Sequence, residues 1–268
     1  MVETPVNLVE TAQAAPTPPP ETTALLSKFR AVVSSGGKRS NAVFTIVDLR
    51  NLVEVAAALS DKITFFVDDG IKVRVLDGAK IALLDAALPK TVFADFEAHG
   101  AGYVTVDAKS LLAVLRRAKS KSVELRFEEG QLIVGIGGVR NFRIRTLEAS
   151  AEEVPQPKTN HAVFAVIDAE MFREALIDAK VVKADAVRLV ALNGTLTFKA
   201  VNETKEVEVK LAPAEGDAAS TYALDYLIKA VKAFNGVVEV KFGSNAPLEL
   251  ATTFNEGYIK VYVAPRIE

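Results

Sequence analysis

The sequence predicts an α+β fold written twice, as two domains of two βαβββ units each. Three observations predict it. The string Asn41-Ala-Val-Phe-Thr-Ile-Val-Asp48, expected as an apolar strand ending in a helix N-cap candidate, returns, little changed, as His161-Ala-Val-Phe-Ala-Val-Ile-Asp168. Each copy leads into a segment whose apolar residues recur at the 3.6-residue period, with Leu49, Leu52, Val53 and Ala56 in the first and Met171, Phe172, Ala175 and Leu176 in the second. Runs with strand character then follow each helix in the same order.

In the first half the expected strands after the helix are Ile63–Val67, Ile71–Leu76 and Lys80–Leu88, closed by Pro89. The matching runs of the second half are Ala186–Leu192, Thr195–Val201 and Glu206–Leu211, closed by Pro213. A second unit fills each half. Gly102–Asp107 leads into a helix over Ala108–Lys119 and then strands at Ser122–Phe127, Leu132–Ile136 and Asn141–Leu147. Its counterpart is Ser220–Asp225, a helix over Tyr226–Phe234, and strands at Val237–Phe242, Leu248–Phe254 and Tyr258–Val263. One repeated octapeptide is weak evidence; the same element order in both halves makes duplication the better reading. Residues 1–40 are expected to be a flexible N-terminal extension, because Met1–Thr23 is rich in Pro, Thr, Ala and Glu and holds too little apolar surface to offset its ordering entropy. Within it, Leu25–Val33 reads as either a short helix or a strand. The remaining divisions are a domain over 41–147, a connector over 148–160 marked by acidic residues with Pro155 and Pro157, and a domain over 161–268.

Composition removes several function classes. The chain has 268 residues, half of them hydrophobic, which suits one large or two ordinary domains. Its longest apolar runs, such as Ile81–Leu84 and Leu111–Leu115, are far too short to cross a bilayer, and no secretory signal pattern opens the chain. The absence of cysteine excludes disulfides, thiol nucleophiles and Cys-based zinc sites. His99 and His161 stand alone, without a second histidine at ligand spacing, so no metal or other cofactor is implied. Enzyme motifs are missing as well. Gly135-Ile-Gly-Gly138 lies inside a strand pattern rather than at a strand-to-helix turn, and Asp68-Asp69 before Gly70 reads as turn chemistry. Thirty-two basic residues stand against 34 acidic ones, so any contact with nucleic acid must come from a local patch.

Several local strings carry a resemblance. The ending Tyr262-Val-Ala-Pro-Arg-Ile-Glu268, the segment Tyr222-Ala-Leu-Asp-Tyr-Leu-Ile-Lys229, the region Asp68-Asp-Gly-Ile71 with Leu76-Asp-Gly-Ala-Lys-Ile-Ala-Leu83, and Asn245-Ala-Pro-Leu248 occur in order. Together with four βαβββ units they resemble the proliferating cell nuclear antigen (PCNA) family of DNA sliding clamps of archaea and eukaryotes, over residues 41–268. The extension before residue 41 departs from that pattern. The lack of cysteine and a core rich in Leu, Val and Ala fit an archaeal origin.

The resemblance implies a duplicated clamp fold in which helices line a ring and sheets lie outside, acting on DNA without catalysis. It implies a subunit that encircles duplex DNA, in a homotrimer or in a heterotrimer with sister clamps. Such a ring tethers DNA polymerase and recruits the clamp loader, flap endonuclease and DNA ligase through short aromatic-ended peptides. The expected compartment is the nucleoid-associated cytoplasm if the source is archaeal and the nucleus if it is eukaryotic, with no membrane role. Asked whether its helices suit a lining, the sequence offers Lys109, Arg116, Arg117 and Lys119 on one helix, and Lys229 and Lys232 on another. Arg173 and Lys180 are diluted by Glu170 and Glu174, and Arg50 is opposed by Glu54. These would touch phosphates without reading bases. The resemblance places the partner pocket at Leu76, Lys80, Ile81, Val154, Pro247, Tyr262, Val263, Ala264 and Pro265. It places the subunit interface on two edge strands, with Val139, Phe142 and Ile144 on one and Thr195, Thr197 and Lys199 on the other.

Overall fold

The computed structural model describes residues 28–35, 44–119, 122–148, 154–157 and 159–267. Its first half runs β1 (Phe29–Ser34), α1 (Ile46–Leu59), β2 (Lys62–Val67), β3 (Gly70–Leu76), β4 (Ala82–Pro89), β5 (Asp95–Ala98), β6 (Gly102–Asp107), α2 (Ala108–Leu115), β7 (Ser122–Glu128), β8 (Gln131–Ile136) and β9 (Arg140–Arg145). The second half runs β10 (Val163–Asp168), α3 (Ala169–Val181), β11 (Ala186–Leu192), β12 (Thr195–Val201), β13 (Glu206–Glu215), β14 (Ala218–Ala223), α4 (Leu224–Ala230), β15 (Val237–Phe242), β16 (Leu248–Phe254), β17 (Gly257–Val263) and β18 (Pro265–Arg266). A 3-10 turn at Val231–Ala233 prolongs α4.

Both halves follow one plan. In the first, β1 pairs antiparallel with β5 and β7; in the second, β10 pairs with β13 and β15. The single strand β13 does the work of β4 and β5 together: its body pairs with β12, as β4 pairs with β3, and its last residues reach β10, as β5 reaches β1. Gly216 permits that reach. It sits at φ +78°, and a Cβ there would stand 1.9 Å from the Ala162 carbonyl oxygen. The halves meet where β17 pairs with β4, from Tyr258–Ala87 to Val263–Ala82, which produces one 13-stranded sheet beside a five-stranded sheet in the order β5-β1-β7-β8-β9. Phe44 and Phe254 meet edge to face at 5.5 Å, so the core also crosses the join.

One expectation is overturned at the start of the repeat. Asn41–Val43 lie outside the described residues, but Ile46–Asp48 form the first turn of α1 rather than the end of a strand. The cap is Thr45, whose hydroxyl accepts from the Asp48 amide at 3.3 Å while the Asp48 carboxylate accepts from the Thr45 amide at 2.9 Å. This capping box starts a helix within an apolar run that periodicity alone cannot assign. The true counterpart of β10 is β1, within the stretch expected to be a flexible extension. Its Phe29, Ala31 and Val33 are almost wholly buried between two neighbouring strands. The remainder of the expected extension, residues 1–27 and 36–40, lies outside the described residues.

Smaller differences concern helix faces and ends. Asp107 and Asp168 cap α2 and α3 through bonds to the Ser110 amide at 2.7 Å and the Glu170 amide at 2.8 Å. Helix α2 stops at Leu115, so Arg116 and Arg117 lie in the turn beyond it. Leu111, Leu112, Leu115 and Ala118 are buried. Met171 is exposed, because Ala169 and Phe172 take the inward positions of α3. In α4 it is Ala230 that is fully buried and Ile228 only partly.

Candidate functional site

The four helices form one layer. Helix α1 packs against α2 on one side and against the 3-10 turn after α4 on the other, and α3 packs beside α4. Each helix turns its apolar stripe to the sheets, which leaves the polar stripes together on one surface. Arg116, Arg117 and Lys119 project from the end of α2, and Lys109 from its start, all exposed. Lys109 Nζ lies 2.6 Å from Asp61, and that contact raises the affinity of the ammonium for its proton. Arg116 Nη2 and Lys232 Nζ converge on the same oxygen of Glu54, at 3.3 Å and 3.5 Å. Lys229 Nζ stands 4.5 Å from the centre of the Tyr226 ring. Lys180 is exposed and Arg50 half-exposed. Arg173 is more committed than its sequence position suggests: it donates to Glu170 at 2.6 Å and also to the carbonyl of Phe234, tying α3 to the end of the neighbouring turn. The basic side chains are therefore gathered mainly on α2 and its following turn, while α3 sets Glu170, Glu174 and Asp178 beside Arg173 and Lys180.

A second cluster forms on the sheet face near the join. Ile81, Leu83, Tyr262 and Ala264 pack together, with Leu76, Val154 and Tyr226 against them. Five residues expected in a partner pocket thus come together: Leu76, Ile81, Val154, Tyr262 and Ala264. Leu83 and Tyr226 were missed. Leu83 is the cross-strand neighbour of Tyr262 in the β4–β17 ladder, a relation that needs the register and not the sequence alone. Val263 does not belong, since strand alternation turns it into the main core. Pro247 and Pro265 are buried, and Lys80 is exposed in the left-handed region at φ 59°.

Lys80 lies in a loop built on Asp77. That carboxylate accepts from the amides of Ile81 at 2.6 Å, Ala82 at 2.7 Å and Ala79 at 3.0 Å, and from the Tyr226 hydroxyl at 2.8 Å. Burial and this bond to Asp77 push the Tyr226 phenol up to about 12. Two further acids are buried on the same sheet, Asp85 on β4 and Glu249 on β16. Asp85 binds Arg74 Nε at 3.0 Å and Gln156 Nε2 at 2.7 Å, and Arg74 also donates to the Val154 carbonyl at 2.7 Å. Glu249 is approached by Lys260 at 3.3 Å and His161 at 3.7 Å, and together with burial it raises the Tyr262 phenol. Desolvation lowers the His161 pKa, against the pull of Glu249.

The edges of the sheets complete the surface. Among the described residues strand β9 pairs only with β8 and is open along its other side, and Arg140, Arg143 and Arg145 on it are exposed. Val139 before it is 84% exposed, Phe142 is half-buried and Ile144 buried. The partner edge expected on Thr195, Thr197 and Lys199 is corrected. Strand β12 is hydrogen-bonded to β11 and to β13, so its backbone groups are already used. Among the described residues the open edge belongs to β13 over residues 206–211, which pair only with β12 and expose Glu206, Glu208 and Lys210. Beside that edge α3 presents exposed Ile177 and Val181.

No protein-family model matches the chain. A DNA polymerase sliding clamp of Pyrococcus abyssi is 30% identical over 238 residues, covering 82% of this chain and 95% of the relative. The chain belongs to the DNA polymerase sliding clamp family. Another such clamp, from Pyrococcus horikoshii, is 29% identical over the same span. Among solved structures, PCNA from Thermococcus kodakaraensis superposes with a TM-score of 0.78 at 26% identity, over 89% of this clamp and all of that chain. The fold is also that of A. fulgidus PCNA bound to the C-terminal region of FEN-1, with a TM-score of 0.76, 20% identity, and 90% and 99% of the two chains covered. Among the described residues no helix is long and apolar enough to cross a membrane.

Proposed function

We propose that this clamp is one subunit of a trimeric ring that encircles duplex DNA, tethers DNA polymerase as a processivity factor and recruits further replication and repair enzymes. The observation that carries this reading is the pair of open edges. Strand β9 offers Arg140, Arg143 and Arg145, and β13 offers Glu206 and Glu208, the latter shared with Lys199 at 2.6 Å, beside an exposed Lys210, so the two edges are complementary where the arginines meet the glutamates. Two different edges on one chain make a head-to-tail contact, which closes into a ring when the rotation allows. Val139, Phe142 and Ile144 lie on or next to the first edge, and Ile177, Val181, Glu206 and Glu208 lie on or next to the second. This complementarity favours a homotrimer over a ring that needs sister subunits. The ring places the helix layer inward, where Lys109, Arg116, Arg117, Lys119, Lys180, Lys229 and Lys232 meet phosphates, with Arg50 and Arg173 at its margins.

On the outer face the cluster of Leu76, Ile81, Leu83, Val154, Tyr226, Tyr262 and Ala264 receives aromatic-ended peptides of partners, among them flap endonuclease, DNA ligase and the clamp loader. A solved structure of the same fold holding the C-terminal region of FEN-1 supports recruitment of that kind. The clamp acts without catalysis, in the cytoplasm with the nucleoid. Its first domain reaches back from residue 147 to Phe29; 148–160 is the connector and 161–268 the second domain.

The test is solution mass. The wild-type chain should measure as a trimer, Arg143→Glu should lower the mass toward monomer, and Arg143→Glu mixed with Glu208→Arg should recover a larger species. A wild-type monomer, or a trimer indifferent to both changes, overturns the interface.

A further inference from the structure

The proposed DNA-facing surface contains an acid at its centre. Helix α1 lies between α2 and the 3-10 turn after α4, and Glu54 is the residue of α1 that both neighbours reach. One carboxylate oxygen takes Arg116 from the first half of the chain and Lys232 from the second, at 3.3 Å and 3.5 Å. The Glu54 side chain is 26% exposed, whereas Arg116 and Lys232 are 58% and 44% exposed. The acid thus sits below its cations, and the cations remain open to a second anion arriving from above.

We propose that Glu54 is an internal counter-charge that limits how tightly the ring grips DNA. The proposal rests on the reading of the helix layer as the DNA-facing surface. A phosphate that binds Arg116 or Lys232 exchanges one anion for another, so it gains less than it would from a bare cation and displaces fewer counterions. When the ring moves by one phosphate, Glu54 takes the released cation back, and the energy of the surface stays level along the duplex. The two other acid–cation contacts of this layer among the described residues do not share this geometry. Asp61 holds Lys109 alone and is itself 78% exposed, and Glu170 holds Arg173 one turn away on its own helix.

The experiment is equilibrium binding of the full-length ring to short duplex DNA, read by anisotropy between about 50 and 200 mM salt, where phosphate contacts dominate. Glu54→Gln frees two cations. Its affinity should rise, and the slope of log K against log salt should steepen by up to about 5.4, the value for six phosphate contacts, two from each subunit of the ring. Glu54→Ala should behave alike, and both should keep the wild-type melting curve. Tighter binding without a steeper slope overturns the proposal, because a merely local rearrangement moves affinity and leaves the count of contacts alone. The triple reversal of Arg116, Arg117 and Lys232 to Glu separates the two levels. If it weakens binding while Glu54→Gln changes nothing, the counter-charge is wrong and the DNA-facing surface stands; if it too changes nothing, the surface reading fails and takes the counter-charge with it.

Discussion

The helix face and the sheet face of this clamp both carry charge, and they hold it differently. On the helix face Lys109 and Asp61 meet at 2.6 Å with side chains 70% and 78% exposed. On the sheet face Asp85, 4% exposed, is enclosed by Arg74, Gln156 and the Tyr258 hydroxyl. Exposed pairs are worth about 0–1 kcal/mol and are screened by salt, whereas breaking a buried pair costs about 3–5 kcal/mol because a charge is left without a partner. The first face can exchange its partners at little cost, as the proposed DNA-facing surface must. The second is fixed before any ligand arrives, and a fixed groove spares a bound peptide part of the ordering cost. The same chemistry thus gives one face of exchangeable pairs and one of fixed pairs, and burial decides which.

The sharpest way to break this comparison is Asp85→Ala. It strands Arg74 and releases Gln156, and unfolding in denaturant should show a loss of about 3–5 kcal/mol. A loss below about 1 kcal/mol would put Asp85 in the class of the helix-face pairs. Next in size is Ile81→Ala with Tyr262→Ala. Calorimetry with an aromatic-ended partner peptide should show affinity down by at least about tenfold, the mark of a truncated anchor; unchanged affinity would show the peptide binds elsewhere. The smallest effect is expected for Glu170→Gln, whose exposed pair with Arg173 spans one helical turn. Stability should change by about 0.5 kcal/mol or less, since Arg173 keeps its bond to the Phe234 carbonyl. A change as large as that of Asp85→Ala would erase the contrast between the faces.

The sequence shows the element order plainly and the edges poorly. Strands β11, β12, β15 and β16 end where their alternating patterns end, because each is bounded by Asn, Gly, Pro or Asp turns. Strand β1 was hidden for a physical reason: Ala31, Val32 and Val33 read equally as helix or strand, and the octapeptide at residue 41 offered a better-looking match to β10. The capping pair Thr45 and Asp48 was the available signal that a helix, not a strand, begins there. The two open edges were half legible. β9 could be placed by resemblance, but which of β12 and β13 stays unpaired depends on a sheet order that no local pattern encodes. Of the outer cluster, Tyr262 and Ile81 came from the family's ending and loop. Leu83 and Tyr226 needed cross-strand register and a hydrogen bond to Asp77 across 149 residues of chain. Buried acids such as Asp85 and Glu249 look like any exposed carboxylate until the packing is known.

The measurement closest to the central claim is topological. The assembled clamp, placed on nicked circular DNA by a clamp loader and freed of unbound protein at high salt, should stay with the circle and leave it once the DNA is cut to linear form. Loss from the intact circle under the same wash, or equal retention on linear DNA with open ends, would contradict a ring that encloses the duplex.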